Sequence, residues 1–154
     1  MVSSALLSTL HLLALGVGLP SVFARGRALA ALEQDGSKVD AVLRADNVWG
    51  LAAVLWLATG LARLLGPFEK GTGFYLNSGS FLVKMGLFVA ILLLEVWPMV
   101  TFIRWRIRQV KRLPIDTQSA GRLRRVNQLE LGLTLAMPFF ASLMARGLGH
   151  DWFR

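Results

Sequence analysis

Residues 79–112 read GSFLVKMGLFVAILLLEVWPMVTFIRWRIRQVKR, and this stretch decides how the rest of the chain is understood. About 24 mostly apolar residues precede a burst of arginines, enough to cross a hydrocarbon layer of roughly 30 Å at 1.5 Å per residue. Two ionisable residues, Lys84 and Glu95, lie inside it. Eleven helical steps return to within roughly 20° of the start, so the two share a face about 16 Å apart along the axis. Charge inside a membrane span is costly and normally faces a bundle interior or a cavity. This helix therefore has a marked inner face.

Working outward, the whole chain of 154 residues is 55% hydrophobic with mean hydropathy +0.55, too apolar for a water-soluble domain of this size. The apolar residues fall in four blocks, predicting spans at about 4–24, 47–65, 80–102 and 129–147 in a single membrane domain, 1–154. Cysteine is absent, which excludes disulfides, iron–sulfur clusters and thiolate chemistry. Two histidines, His11 and His150, are too few for a multi-histidine zinc or copper site. No phosphate loop, nucleophile elbow or dinucleotide fingerprint occurs.

The net charge of +8 is not spread evenly. Of 17 Lys and Arg residues, four lie between Arg25 and Arg44 and eight between Arg104 and Arg125. That is the positive-inside pattern, with attraction to anionic headgroups, and it requires no nucleic acid. Both basic connections are accordingly expected in the cytoplasm and both termini outside. The fold class expected is all-α: an integral membrane, up-down four-helix bundle with two basic hairpins and sequential helices side by side, in a bacterial inner membrane.

The first helix is expected to be retained rather than cleaved, since MVSSALLS has no basic leader, and to continue to Glu33. Ser37 to Asp40 reads as the start of the second helix, with Asp40 and Arg44 a pair on its first turns, and Gly66-Pro67 as its end. The connection GPFEKGTGFYLNS, with Phe68, Phe74 and Tyr75, suits an interfacial cap. Pro98 is expected to kink the third span, and Asp116 or Thr117 to cap the fourth helix. Trp49, Trp97, Trp105 and Trp152 fall at expected interfaces, whereas Trp56 is mid-span and reads as packing.

His11 shares a stripe with Ser4 and Gly18, and Gly16 and Gly18 leave room for a partner helix or a flat cofactor. An imidazole in lipid is a candidate metal or haem-iron ligand; it serves equally as an interhelical hydrogen-bond partner. His11 is expected about 10–12 Å deep from the outer side. Lys84, Arg63 and Arg146 fall in the same outer half, with Glu69 and Asp151 the acids near them. Such a cationic ring suits a bound anion, porphyrin propionates or a lipid phosphate; snorkelling to the interface is the alternative. Glu95 and Glu130 lie deeper toward the cytoplasm, as a proton path with Thr101 and Asn127 or as structural partners of Arg104 or Arg125.

Residues 10–148 resemble a family of small four-span bacterial membrane proteins, a domain of unknown function. That family is in turn distantly similar to HemJ-type protoporphyrinogen oxidases and CopD-like copper-resistance proteins. The resemblance rests on His11 followed by LALGVGLPSVFARGRA, on WLATGL at 56–61, FYLNSGSFLVKMGLFVAILLL at 74–94 and LRRVNQLE at 123–130. It implies haem b, His11 as axial ligand and a functional Lys84. It also implies a histidine late in the third span, where this chain has Glu95 or Trp97, so a second axial ligand has no obvious place. The expectation is a haem or porphyrin site between the first and third spans, involving His11, Lys84, Arg63 and Arg146. The alternatives are a non-catalytic subunit or assembly factor of a larger membrane complex, or a homo-oligomer; a small transporter is the weakest reading.

Overall fold

The computed structural model describes residues 2–66 and 72–148, apart from the side chains of Thr72 and Phe74. Glu69, His150, Asp151, Trp152 and Phe68 lie outside the described residues. Five helices follow one another: α1 Val2–Gln34, α2 Val39–Leu65, α3 Thr72–Leu76, α4 Gly79–Val110 and α5 Ala120–Ala145. Four of them, α1, α2, α4 and α5, are long and apolar enough to cross a membrane. The short α3 adds one turn in the connection read as an interfacial cap, and its Tyr75 packs on Phe81 with ring centroids 5.3 Å apart.

The helix ends follow local chemistry. Asp35 Oδ1 accepts from the Ser37 amide at 3.0 Å and the Ser37 hydroxyl at 2.7 Å, which holds that carboxyl below the usual carboxylate range. Ser37 is thus engaged in the turn, and Lys38 rather than Ser37 stands at the N-cap of α2. Gly66 ends α2 in extended conformation, as expected of a residue ahead of Pro67. Ser78 caps α4 by accepting from the Phe81 amide at 3.4 Å. Helix α5 begins at Ala120, later than its acidic candidates, because Asp116 binds the Gln118 amide in a turn and Ser119 takes the N-cap place. Pro98 is buried inside a continuous α4.

The inner faces run in steps of seven. On α1 these are Gly18, Arg25 and Leu32; on α2 Val42, Trp49 and Trp56; on α5 Leu123, Glu130 and Met137, all buried. On α4 the series is Phe81, Phe88, Glu95 and Phe102. A seven-residue repeat is the period of left-handed bundles with knobs in holes. Helix α1 packs on α2 and α5, and α4 on α5, but α2 and α4 touch only sparsely. Of the sequential pairs of long helices, α2 and α4 therefore pack the least closely.

At 33 residues and 1.5 Å each, α1 is about 50 Å long, well beyond a hydrocarbon layer. The surplus lies at the hairpin end, where Leu29, Val42, Phe102, Trp105 and Leu123 form an apolar core resembling that of a water-soluble bundle. A second core, at the end carrying the chain termini, gathers Ala14, Val22, Trp49, Trp56, Ile91 and Met137. Trp49 and Trp105, expected at interfaces, are both 4% exposed: each is drawn into a core by its place on the inner stripe. Around the second core Leu51, Val54, Leu93 and Phe139 point outward, as lipid-facing residues do.

Phe102 is fully buried in the hairpin core. Phe102→Ala should lower stability by about 3–5 kcal/mol, read as a fall in the unfolding midpoint of the detergent-solubilised protein.

Candidate functional site

Where the two cores meet, the bundle holds one buried cation. Arg25 is 0% exposed and all five of its N–H donors are used. Nε donates to Asn127 Oδ1 at 2.7 Å. Nη1 donates to Asp46 Oδ1 at 2.9 Å and Glu95 Oε1 at 2.7 Å. Nη2 donates to Glu95 Oε2 at 2.9 Å and Glu130 Oε2 at 2.5 Å. One side chain from α1 thus reaches α2, α4 and α5 at a single level. The planar guanidinium takes Glu95 on both nitrogens at once, a geometry that lysine cannot reproduce.

The surroundings are built to hold it. Trp49 Nε1 donates to Glu95 Oε2 at 3.1 Å, and the Trp49 and Phe102 rings lie 5.9 and 5.7 Å from the guanidinium carbon. Asn127 also donates to the Val22 carbonyl at 3.0 Å. It can do so because residue 26 is glycine: a Cβ there would stand 2.7 Å from Asn127 Nδ2. Arg106 reaches across the seam to Asp46 at 2.6 Å and Asn47 at 2.8 Å. Gln109 of α4 donates to Asp40, and among the described residues this replaces the expected Asp40–Arg44 pair. These bonds lace α2 to α4 at the hairpin end.

Arg25 is thus no part of an exposed basic connection. Glu95 and Glu130 take Arg25, not Arg104 or Arg125, as their partner; Arg104 and Arg125 are both exposed. Thr101 is off any path, since its hydroxyl donates to its own helix at the Trp97 carbonyl. Sequence reasoning missed the role of Arg25, although it continues the series His11, Gly18, Arg25 in steps of seven along the inner stripe.

Toward the other end the α2–α4 seam opens into a recess of about 80 Å³, below the usual range for an enclosed ligand site. Trp56, Gly60 and Leu64 of α2 face Phe81, Lys84 and Phe88 of α4, with His11 and Met137 also lining it. A smaller recess of about 50 Å³ shares His11, Gly60 and Lys84 and adds Arg63, Tyr75 and Met144. The structure therefore brings His11, Lys84 and Arg63 together. Arg146 ends α5 as an exposed residue and lines neither recess.

The orientation of His11 is fixed. Its Nδ1 lies 2.9 Å from Thr59 Oγ1. The single Thr59 proton is directed at the Leu55 carbonyl, 2.7 Å away. If Thr59 keeps its proton on its own helix it accepts from the ring, and this assignment puts the proton of a neutral His11 on Nδ1 and a lone pair on Nε2. That is how ligating histidines are commonly held. Gly60 gives the ring its place, for a Cβ there would meet His11 Cε1 at 3.3 Å. Trp56 packs beside it at 5.7 Å, edge-on to Phe88 at 6.0 Å, so its mid-span packing role also forms the recess wall. Gly18 likewise admits Trp49, whereas Gly16 faces open space. Among the described residues no hydrogen bond or ion pair engages Lys84, and no group of three His, Asp or Glu side chains could hold a metal ion.

A family model described as Predicted membrane protein (DUF2214) matches residues 3–149. No curated protein and no solved structure matches the chain.

Arg25→Met would leave three acids facing an apolar group in the bundle centre. Thermal unfolding in detergent should show a loss of about 3–5 kcal/mol, partly recovered when Glu95→Gln and Glu130→Gln are added.

Proposed function

The chain belongs to this family of predicted membrane proteins, and we propose that it is a multi-pass protein holding haem b, or a related anionic porphyrin, in the recess between α2 and α4. The observation that carries the reading is the Thr59-fixed imidazole, which presents an Nε2 lone pair beside an aromatic wall and two cations. His11 would take the iron; Lys84 and Arg63 would face the propionates, as charge-assisted partners of carboxylates. Met85 and Met137, thioethers lining the same recess, would be further candidate ligands to the iron. The group would supply one-electron chemistry, while the chain's own residues bind it, orient it and keep it in a poorly hydrated seam.

An open seam facing lipid lets an amphiphile enter sideways, polar groups toward Lys84 and Arg63 and ring toward Trp56 and Phe88. The apolar outer faces are suited to lipid or to a neighbouring subunit, so membership of a larger complex is compatible with this site.

We further propose that Arg27, Lys38 and Arg44 of the first connection and the eight basic residues between Arg104 and Arg125 hold both hairpins in the cytoplasm of an inner membrane, against anionic headgroups, with both termini outside. The natural absence of cysteine makes this simple to test. Ser37→Cys and Gln118→Cys should react with an impermeant maleimide only after cells are opened; labelling of intact spheroplasts from outside would reverse the orientation.

Protein purified in detergent and given haem should develop a Soret band that shifts on reduction. His11→Ala should abolish the shift, and Lys84→Ala should weaken haem binding by about tenfold, the loss of one charge-assisted contact. A wild-type protein that takes up no haem ends this reading.

A further inference from the structure

The hairpin end carries two open grooves, on opposite sides of α4, and their charges are balanced differently. In the groove toward α2 the cations Arg44 and Arg106 stand against two acids: Asp40 lines it, and Asp46 pairs with Arg106 at 2.6 Å. The groove toward α5 holds about 340 Å³, within the usual range for small-molecule sites. Its walls carry Arg104 and Arg108 of α4 and Arg122 of α5, all exposed. Among the described residues no ion pair engages any of these three; the pairs fall on Arg25, Lys38, Arg106 and Arg124.

The three arginines converge because the helices place them. Trp97, Thr101, Arg104 and Arg108 recur at steps of four, three and four, which puts them on one face of α4. Arg122 closes the groove from α5, its guanidinium carbon 5.9 Å from the centre of the Trp97 ring. Arg108 Nη1 donates to the Pro114 carbonyl at 2.9 Å, which holds that side chain at the hairpin turn and leaves its remaining N–H groups for another acceptor. Ser119 makes no capping bond with its side chain, so its hydroxyl is a further donor. Among the described residues lining the groove the one acid is Asp116, whose Oδ1 is taken up by the Gln118 amide. Three guanidiniums against one carboxylate leave two positive charges in excess, and like charges gathered in one groove repel until an anion enters.

The surface beside the groove indicates which anion. Leu93 stands one turn before Trp97 on the same face of α4, and Leu129 follows Arg122 by seven residues, about 10 Å, on the same face of α5. Both are exposed and apolar. A polar head in the groove would thus have acyl chains lying along α4 and α5. Trp97, 39% exposed between the charged and the apolar zone, suits the boundary of headgroup and hydrocarbon.

We infer that this groove binds the phosphate groups of one phospholipid with two negative charges, held by Arg104, Arg108 and Arg122. Guanidinium forks match phosphate oxygens two at a time, and two charges on the head cancel the excess on the walls. Such a site goes beyond the general attraction of a basic hairpin for headgroups, because it fixes both the place and the number of lipids bound. The inference requires the four spans but neither the porphyrin site nor a direction of insertion.

The experiment is native mass spectrometry of the full chain without haem, released from detergent micelles holding cardiolipin, phosphatidylglycerol or phosphatidylcholine at equal mole fraction. One cardiolipin should stay bound per chain, and phosphatidylglycerol, with a single charge, should bind about tenfold more weakly. Arg104→Gln and Arg122→Gln should each weaken cardiolipin binding about tenfold, the loss of one charge-assisted contact. Lys111→Gln removes a charge from the same end but outside the groove and should leave the affinity unchanged. The substituted side chains are all exposed, so none should disturb the fold. Equal losses in Lys111→Gln and Arg122→Gln overturn the site in favour of diffuse attraction, and equal retention of phosphatidylcholine overturns it outright. Inorganic phosphate at the concentration of the lipid should not displace cardiolipin; displacement overturns the lipid as occupant and leaves free phosphate as the ligand.

Discussion

A single guanidinium holds the four long helices in register. Helices in lipid gain little from apolar contact, because the solvent is as apolar as their side chains; packing and polar contacts must fix their rotation and height. Arg25 does both at once, donating to Asp46, Glu95, Asn127 and Glu130 on three neighbouring helices. A slip of one residue would turn any of these acids about 100° away and leave a buried charge uncompensated. The cluster thus specifies one arrangement among the many that apolar surfaces would allow. Its contribution to specificity is easier to argue than its net stability, since desolvating an arginine and three acids consumes much of what their attraction returns.

From that anchored level the recess follows by helical arithmetic. His11 precedes Arg25 by fourteen residues, about 21 Å along α1 and nearly on the same face. Lys84 precedes Glu95 by eleven, about 16 Å along α4. Once Arg25 meets Glu95, both other residues must project into the bundle near the opposite end. Thr59 lies in phase with Ala52 on α2 and completes the setting by fixing the imidazole.

The helices, their number and the hairpin extensions were legible because they depend on local composition and length. The placement of His11 with Lys84 was legible too, because both are single charges or bases in apolar surroundings. Arg25 was not. In a one-dimensional count an arginine next to a span belongs to the basic flank, and its partners lie 21, 70 and 105 residues away on other helices. The same blindness sent Trp49 and Trp105 to interfaces and gave Glu130 a neighbour from its own helix. What could have corrected it is phase: Arg25 follows His11 and Gly18 at steps of seven, and Glu95 follows Phe81 and Phe88 likewise. Arg146 shows the limit of depth alone, being at the right height and on no inner face.

The two ends of the seam then make sense together. Where Arg106 and Gln109 tie α4 to α2, the bundle is closed around an apolar core; toward the termini the same two helices face each other across the recess. A closed end makes the open end rigid, since the positions of Trp56, Phe88 and Lys84 are set by levers anchored at Arg25. A recess formed this way presents its groups without a folding transition on binding, so little ordering entropy would oppose a ligand. Arg25 therefore shapes the recess without touching it.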